Sequence, residues 1–288
     1  MPSTCTVPLI TDPPAFLSYS PVTPFEVSKL IACAKPSPTD ILPVFLLKSC
    51  SFLFPVIIAD LANLSFTEGT FPTCYKTAQV IPLLKKPSLD PDDTSSFHPI
   101  SNLRTLGKIL ERLSHLRLSP HVFSSGSFSS LQSGYRPKHS TETALLKATN
   151  DLFRAADTGS PSVLIALDLS AAFDCVSHPL LLNRLVTDFD FGGAALSWLS
   201  SYLTGRFHHL KVGEGRSPQI SVDSGVPQGS VLGPLLFSLY ISPIERLVNS
   251  CCVNHITYAD DITLYVNLKG CATTELSRLS NCVQSVSE

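Results

Sequence analysis

The spacing of apolar residues along the chain predicts a series of helices and short strands. Apolar residues recur at helical spacing in residues 41–63, 105–118, 179–186, 193–203 and 234–248, and a short helix is expected from Thr273. Pro55 and Pro243 should break the first and the last of these ranges, because proline cannot donate the helix hydrogen bond. Shorter runs predict strands at 79–84, 208–212 and 219–223, the last two forming a pair.

A further helix and a further strand have more specific burial patterns. Ser140 or Thr141 can cap a helix, whose buried face is expected to contain Ala144, Leu145, Ala148, Leu152 and Phe153. Residues 162–167 are almost all apolar, which is typical of a strand buried in the centre of a sheet, and Asp168 follows at its end.

Two adjacent carboxylates, Asp260 and Asp261, lie between runs rich in β-branched and aromatic residues. This pattern predicts a β-hairpin with both carboxylates at its tip. Neighbouring like charges are tolerated if solvent surrounds them or if a divalent cation binds there. Taken alone, an acidic turn in water is the simpler interpretation.

Asp168 supplies a third carboxylate, 92 residues before Asp260. If its strand and the hairpin are neighbours in one sheet, the three carboxylates should converge at the edge of that sheet. Hard oxygen ligands of this kind suit Mg²⁺. Two such ions can activate an attacking hydroxyl and neutralise a leaving group, so the sequence raises the hypothesis of a two-metal site.

The distribution of charge is more informative than its total. The net charge of −2 argues against nucleic-acid binding. Residues 76–147, however, carry ten Lys and Arg against five Asp and Glu, whereas residues 148–288 carry eight against thirteen. A basic first half and an acidic second half suit a protein that holds phosphates on one side and metal ions on the other.

The cysteines and the apolar segments indicate in which cellular compartment the protein is expected. Nine cysteines without C-x-x-C spacing make a zinc site or a disulfide framework improbable. No signal peptide is recognisable, and the most apolar window, 41–58, is interrupted by Pro43, Lys48 and Pro55. We therefore expect an intracellular protein, nuclear or cytoplasmic, without membrane contact. Residues 1–39, rich in Pro, Ser and Thr, predict an irregular leader.

Several short motifs occur in a fixed order along the chain: Phe97-His98-Pro99-Ile100-Ser101-Asn102, Gln132-Ser133-Gly134-Tyr135-Arg136, the segment 166–174 around Asp168, the segment 224–234 around Gln228, and Tyr258-Ala259-Asp260-Asp261. In order and in spacing they resemble the motifs of reverse transcriptases of LINE-type (non-LTR) retrotransposons. The resemblance covers about residues 70–266. Each motif is short and unspecific alone, but the ordered set is specific.

The resemblance implies an α+β, right-hand polymerase fold with an antiparallel palm sheet and packing helices. The expected regions are a leader (1–39), fingers (40–160) and a palm (161–288) that ends before a thumb. The implied function is RNA-directed DNA polymerase, a nucleotidyltransferase that adds dNTPs to a primer 3′-hydroxyl. The implied partners are an RNA template, a DNA primer and dNTPs, and the implied cofactor is a pair of Mg²⁺ ions, with Mn²⁺ as a substitute.

The resemblance also assigns roles to residues. Asp168, Asp260 and Asp261 become the catalytic, metal-binding triad. Phe173 matches the residue packed under the incoming sugar, although an ordinary core phenylalanine is the alternative, and Gln228 matches a residue lining the nucleotide site. Lys85, Lys86 and Arg136 are candidates for phosphate contacts, with a solvated basic face as the alternative.

Two departures from the family pattern leave the function of this chain open. His98 stands where the family usually has Arg before Pro-Ile-Ser, and His is mostly neutral at pH 7. The sequence ends about 27 residues after Asp261. A catalytically inactive fragment or RNA-binding relic is therefore the alternative function, and a maturase-like splicing partner has less support.

Overall fold

The computed structural model describes residues 15–169, 171–269 and 271–287. Its helices are α1 (Pro24–Ala32), α2 (Val44–Ser49), α3 (Phe54–Thr67), α4 (Thr105–Ser124), α5 (Thr141–Asp157), α6 (His178–Thr187), α7 (Gly193–Leu203), α8 (Gly233–Ile241), α9 (Ile244–Ser250) and α10 (Ala272–Ser287). Its strands are β1 (Thr77–Leu84), β2 (Phe97–Asn102), β3 (Ser162–Asp168), β4 (Arg206–Val212), β5 (Gly215–Arg216), β6 (Ile220–Val222), β7 (Asn254–Tyr258) and β8 (Asp261–Asn267).

The predicted breaks and caps are confirmed. The first apolar range divides into α2 and α3, and Pro55 lies in the first turn of α3, where its missing N–H costs nothing. Pro243 separates α8 from α9. Ser140 caps α5, since its hydroxyl accepts a hydrogen bond from the amide of Thr143.

The predicted irregular leader is wrong over α1, and residues 1–14 lie outside the described residues. Thr23 and Glu26 form a capping box at the start of α1, and Val27 and Ile31 are buried in the main core. Proline at the first position favours this helix start. Pro24 therefore lies at a helix start within the Pro-rich segment.

The strands form two sheets. In the first, the strands run in the order β2-β1-β4-β5, and β6 also pairs with β4. The β4–β6 pair is antiparallel, which confirms the predicted pairing, whereas β1 and β4 are parallel. The second sheet is antiparallel in the order β3-β8-β7.

The prediction of a buried central strand at 162–167 is wrong, because β3 lies at the edge of the described sheet and β8 lies in its centre. Leu164 is 45% exposed, and Ala166 is exposed as well. Val163, Ile165 and Leu167 pack against the core on the other face. The apolar run therefore reflects a strand covered on one face only.

The predicted buried face of α5 is partly wrong. Leu145 is 63% and Phe153 69% exposed. The covered side is formed by Ala144, Ala148 and Leu152, which pack against Ile256 and Tyr265 of the second sheet. Alanines on this side allow the helix to lie close to the sheet, whereas Leu145 and Phe153 point away.

Two apolar cores hold these layers together. The main core contains residues of α1 to α4 and α6 to α8, with Trp198, the only tryptophan, stacked on Tyr202 at 5.8 Å between ring centroids. The second core lies between the three-stranded sheet and α9 and α10, around Ile262, Leu264 and Leu279.

Within the described residues, no helix combines the length and the apolarity needed to cross a bilayer.

Candidate active site

The acidic residues lie at one end of the three-stranded sheet. Tyr258 of β7 pairs with Asp261 of β8, so that Ala259 and Asp260 form the turn between them, and Ala259 has a φ of +56°. Asp168, the last residue of β3, is the register partner of Asp261. The predicted hairpin and its position beside the strand of Asp168 are thus confirmed.

The facing pair of Asp168 and Asp261 is electrostatically unfavourable without a cation. Both side chains belong to exposed residues, and like charges on directly opposite strand positions destabilise a sheet. Neither carboxylate takes part in the four salt bridges found in the described part of the chain. A bound cation would relieve this repulsion.

The carboxylates do not form a closed metal cage. Among the described residues, no three His, Cys, Asp or Glu side chains lie close enough together to hold one metal ion. Mg²⁺ does not need such a cage, since it commonly binds to one or two carboxylates and completes its shell with water and phosphate oxygens. Two facing carboxylates at an open sheet end fit that mode of binding.

Aromatic residues lie next to the turn. Tyr135 has a φ of +58° and contacts Phe173 edge-on, with ring centroids 6.2 Å apart. Burial and the nearby charges of Asp260 and Tyr258 raise the pKa of Tyr135, so its hydroxyl stays protonated. Phe173 in turn stacks on Phe237 of α8 at 5.0 Å and packs against the main core. Phe173 thus links the core to the surroundings of the turn.

The loop that carries Gln228 packs against the segment after β3. The Gly225 amide donates to Val176 O, and the Val226 amide donates to Phe173 O, both at 2.8 Å. Gly225 has a φ of +82°, and a Cβ there would lie 2.8 Å from Asp174 O, so glycine is required at this close approach.

Gln228 itself joins three elements. Its Nε2 donates to Asp174 Oδ2 at 3.1 Å, and its backbone carbonyl accepts from the Ser101 amide of β2 at 2.9 Å. Burial raises the pKa of Asp174, and the bond from Gln228 opposes this shift. The motifs around Asp168, Ser101 and Gln228, distant in sequence, therefore meet in space.

The basic candidates have separate surroundings. Lys85 and Lys86 follow β1 and are exposed. Arg136 donates to Ser130 O at 3.0 Å, and its guanidinium lies 5.6 Å from the Phe128 ring centroid. Their described contacts do not join these cations to one another or to the carboxylates.

Two buried polar residues were not predicted as part of the site. Glu111 of α4 accepts hydrogen bonds from the amides of Val231 and Leu232, at 2.6 and 3.1 Å, and so fixes the end of the Gln228 loop. Gln132 binds the turn residue Ala259 through its side chain. The motif containing Gln132 was a usable signal, whereas Glu111 lies in an ordinary helical pattern and gives none.

Comparisons with known proteins identify the family. A family model described as reverse transcriptase (RNA-dependent DNA polymerase) matches residues 84–287. The chain is 32% identical over 259 residues to the RNA-directed DNA polymerase from mobile element jockey of Drosophila funebris. The matched region covers 86% of this chain and 28% of that protein. It is also 28% identical over 262 residues to the probable RNA-directed DNA polymerase from transposon BS of Drosophila melanogaster. That match covers 87% of this chain and 29% of the relative.

The chain belongs to the reverse transcriptase family. Its relatives place it with the enzymes of LINE-type, non-LTR retrotransposons, which confirms the resemblance seen in the motifs. A third relative, the probable RNA-directed DNA polymerase from transposon X-element of Drosophila melanogaster, is 32% identical over 197 residues and is covered to 21% of its length. The chain thus spans less than a third of these curated relatives.

Proposed function

We propose that this domain catalyses RNA-templated extension of a DNA primer, and that Asp168, Asp260 and Asp261 form its catalytic centre. The observation that carries the proposal is the register pair of Asp168 and Asp261 at the open end of the three-stranded sheet. This sheet, with α9 and α10, corresponds to the palm. In this proposal the sheet of β1, β2 and β4 to β6 forms the fingers and would include residues 206–222, which follow the boundary at 160 in sequence.

The proposed site residues have two kinds of role: the carboxylates hold metal ions, and other side chains line the nucleotide site. The carboxylates of Asp168, Asp260 and Asp261 would hold two Mg²⁺ ions, with Mn²⁺ as a substitute. When bound, such ions lower the pKa of an attacking hydroxyl and neutralise a leaving pyrophosphate. Phe173 packs under the sugar of the incoming dNTP, and Gln228 lines the nucleotide site.

The basic residues supply charge at a distance from the carboxylates. Lys85 and Arg136 contact triphosphate or template phosphates, since phosphate contacts provide most of the affinity for nucleic acid. Arg136 is held by Ser130 O, which fixes its direction. The partners are an RNA template, a DNA primer and dNTPs.

Primer extension tests the proposal directly. The assay uses a poly-rA template, an oligo-dT primer, labelled dTTP and Mg²⁺, with Asp168→Asn and Asp261→Asn beside the wild type. Each substitution keeps the side-chain size and removes one charge, so we expect incorporation to fall by at least about a thousandfold. Asp157→Asn, at an exposed position at the end of α5, is the matched control and should retain activity.

The alternative is an RNA-binding relic, which the histidine at position 98 favours. It predicts no incorporation by folded wild-type protein, together with retained binding of the RNA–DNA duplex in a fluorescence-anisotropy titration. That result would overturn the proposed polymerase activity. Incorporation that Asp168→Asn and Asp261→Asn leave unchanged would overturn the assignment of the carboxylates.

A further inference from the structure

The side chain of Gln132 holds the turn of the acidic hairpin at two points. Its Nε2 donates to Ala259 O at 3.1 Å, and its Oε1 accepts from the Ala259 amide at 2.9 Å. The same Oε1 accepts from the Gly134 amide at 2.8 Å. Gln132 is only 2% exposed, so water does not compete for these bonds.

The backbone around Gln132 reinforces this contact. The Ser133 amide donates to Thr257 O at 3.0 Å, and the Thr257 amide donates to Leu131 O at 3.2 Å, so the segment runs beside β7. A Cβ at Gly134 would lie 2.2 Å from Ala259 N and 2.8 Å from its Cα. Any larger residue at Gly134 must therefore displace the turn.

Ala259 needs such support because of its conformation. A non-glycine residue with φ near +56° is strained. Strained turns persist only where neighbouring contacts fix them. A primary amide suits this place, since one group both donates to the carbonyl and accepts from the N–H of the same residue.

We propose that Gln132 is a positioning residue, which with Gly134 sets the direction of the adjacent Asp260 carboxylate by holding both backbone polar groups of Ala259. The inference rests on the proposed function, because it assigns Asp260 to the metal-binding centre. Gln132 touches neither substrate nor metal and acts through the turn. A displacement of about 1 Å at such a centre can lower a rate about a hundredfold.

Gln132→Met tests the proposal, since methionine has a similar length and lacks both polar atoms. Gln284→Met makes the same change at an exposed position on α10 and is the matched control. Three properties are measured: amide hydrogen exchange across residues 255–264, the Mn²⁺ binding midpoint by electron paramagnetic resonance, and dTTP incorporation against Mg²⁺ concentration. Gly134→Ala is measured in parallel.

We expect the Ala259 amide to exchange at least about tenfold faster in Gln132→Met, because its acceptor is lost. The Mn²⁺ midpoint and the Mg²⁺ requirement should both rise severalfold. The kcat should fall by about 10- to 100-fold, with less than about a twofold change in the KM for dTTP. Gly134→Ala should show the same pattern, and Gln284→Met should match the wild type.

A structural role alone would lower stability while leaving the Mn²⁺ midpoint and the Mg²⁺ requirement unchanged, and that outcome would overturn the proposal. Should Gln132→Met fail to fold, the same measurements are made on Gln132→Glu, which keeps the acceptor for the Ala259 amide and loses the donor to Ala259 O. A wild type that incorporates no nucleotide would refute the polymerase function only. The exchange rate of the Ala259 amide and the Mn²⁺ binding midpoint would then test the positioning role of Gln132 without the activity assay.

Discussion

His98 is exposed on β2, directly opposite Leu83 of β1. Side chains alternate between the faces of a strand, so His98 and Ile100 share one face, and the backbone amide of Ser101 donates to Gln228 O. An arginine at position 98 would present a charged, forked group for a triphosphate. Histidine offers a smaller ring without the forked set of donors of a guanidinium.

We predict that His98→Arg raises kcat/KM for dTTP by about tenfold, because a charge-assisted hydrogen bond to phosphate contributes on the order of 1.4 kcal/mol. Steady-state primer extension at varied dTTP provides the measurement. Gln284→Arg adds the same charge on α10 and should leave kcat/KM unchanged. An unchanged value for His98→Arg would remove this position as the cause of weak nucleotide binding.

At the same scale, sequence reasoning located carboxylates better than the polar groups that support them. Asp168, Asp260 and Asp261 could be placed at strand ends and in a turn because runs of apolar, β-branched and aromatic residues mark the strands beside them. Gln132 and Glu111 could not be assigned roles, because their partners are backbone amides of residues about 120 or more positions away in sequence. Such contacts leave no periodic pattern in the sequence.

At the scale of elements, the type of most helices and strands was predictable, with α1 as an exception, but the side that each element buries was less so. Leu145 and Phe153 of α5 are exposed, and β3 lies at a sheet edge. Apolar content reports that a segment can be buried, whereas the neighbour that covers it depends on the whole topology. The contact of α5 with the second sheet is made instead by Ala144, Ala148 and Leu152 and by one polar link to β8.

That link joins Tyr265 of β8 to Asp151 of α5, with the hydroxyl donating to Oδ2 at 2.5 Å. Lys147 also binds this carboxylate. We predict that Tyr265→Phe lowers the free energy of unfolding by about 1.5–3 kcal/mol, the usual range for a hydrogen bond to a charged group. Urea unfolding followed by the fluorescence of Trp198 gives this value, and hydrogen exchange should increase most in α5.

Tyr240→Phe is the matched control for this change. The Tyr240 hydroxyl has no hydrogen bond within the described residues, so its removal should cost less than about 0.5 kcal/mol. Equal losses in both variants would show that the link from Tyr265 does not hold α5 to the sheet.

At the scale of the molecule, the motifs predicted the family and the hairpin beside Asp168, but not how the chain is shared between the two sheets. Strands β4 to β6 come after β3 in sequence yet belong to the first sheet, where β4 pairs with β1. The parallel β1–β4 pair joins residues about 130 positions apart. Such a pairing depends on how the helices between them pack, which local patterns do not contain.

The stability of the whole molecule should depend on a buried histidine of the second sheet. His255 is 2% exposed, and neither ring nitrogen has a hydrogen-bond partner among the described residues. Burial lowers the pKa of His255 below the usual 6.5, with Glu245 acting in the opposite direction and Lys147 in the same direction. The folded protein therefore keeps His255 neutral at a pH where the unfolded chain takes up a proton.

Stability from this group is consequently full above pH 6.5 and is lost as the pH falls toward the lowered pKa. We predict that His255→Leu flattens the decline in the free energy of unfolding between pH 7 and pH 5, by up to about 1.4 kcal/mol per pH unit. Urea unfolding at a series of pH values measures this slope. His139→Leu removes an exposed histidine and should keep the parent slope. If both variants decline as the wild type does, the acid sensitivity of this fold has its origin in other groups, of which the half-buried His115, whose pKa burial also lowers, is the next to replace.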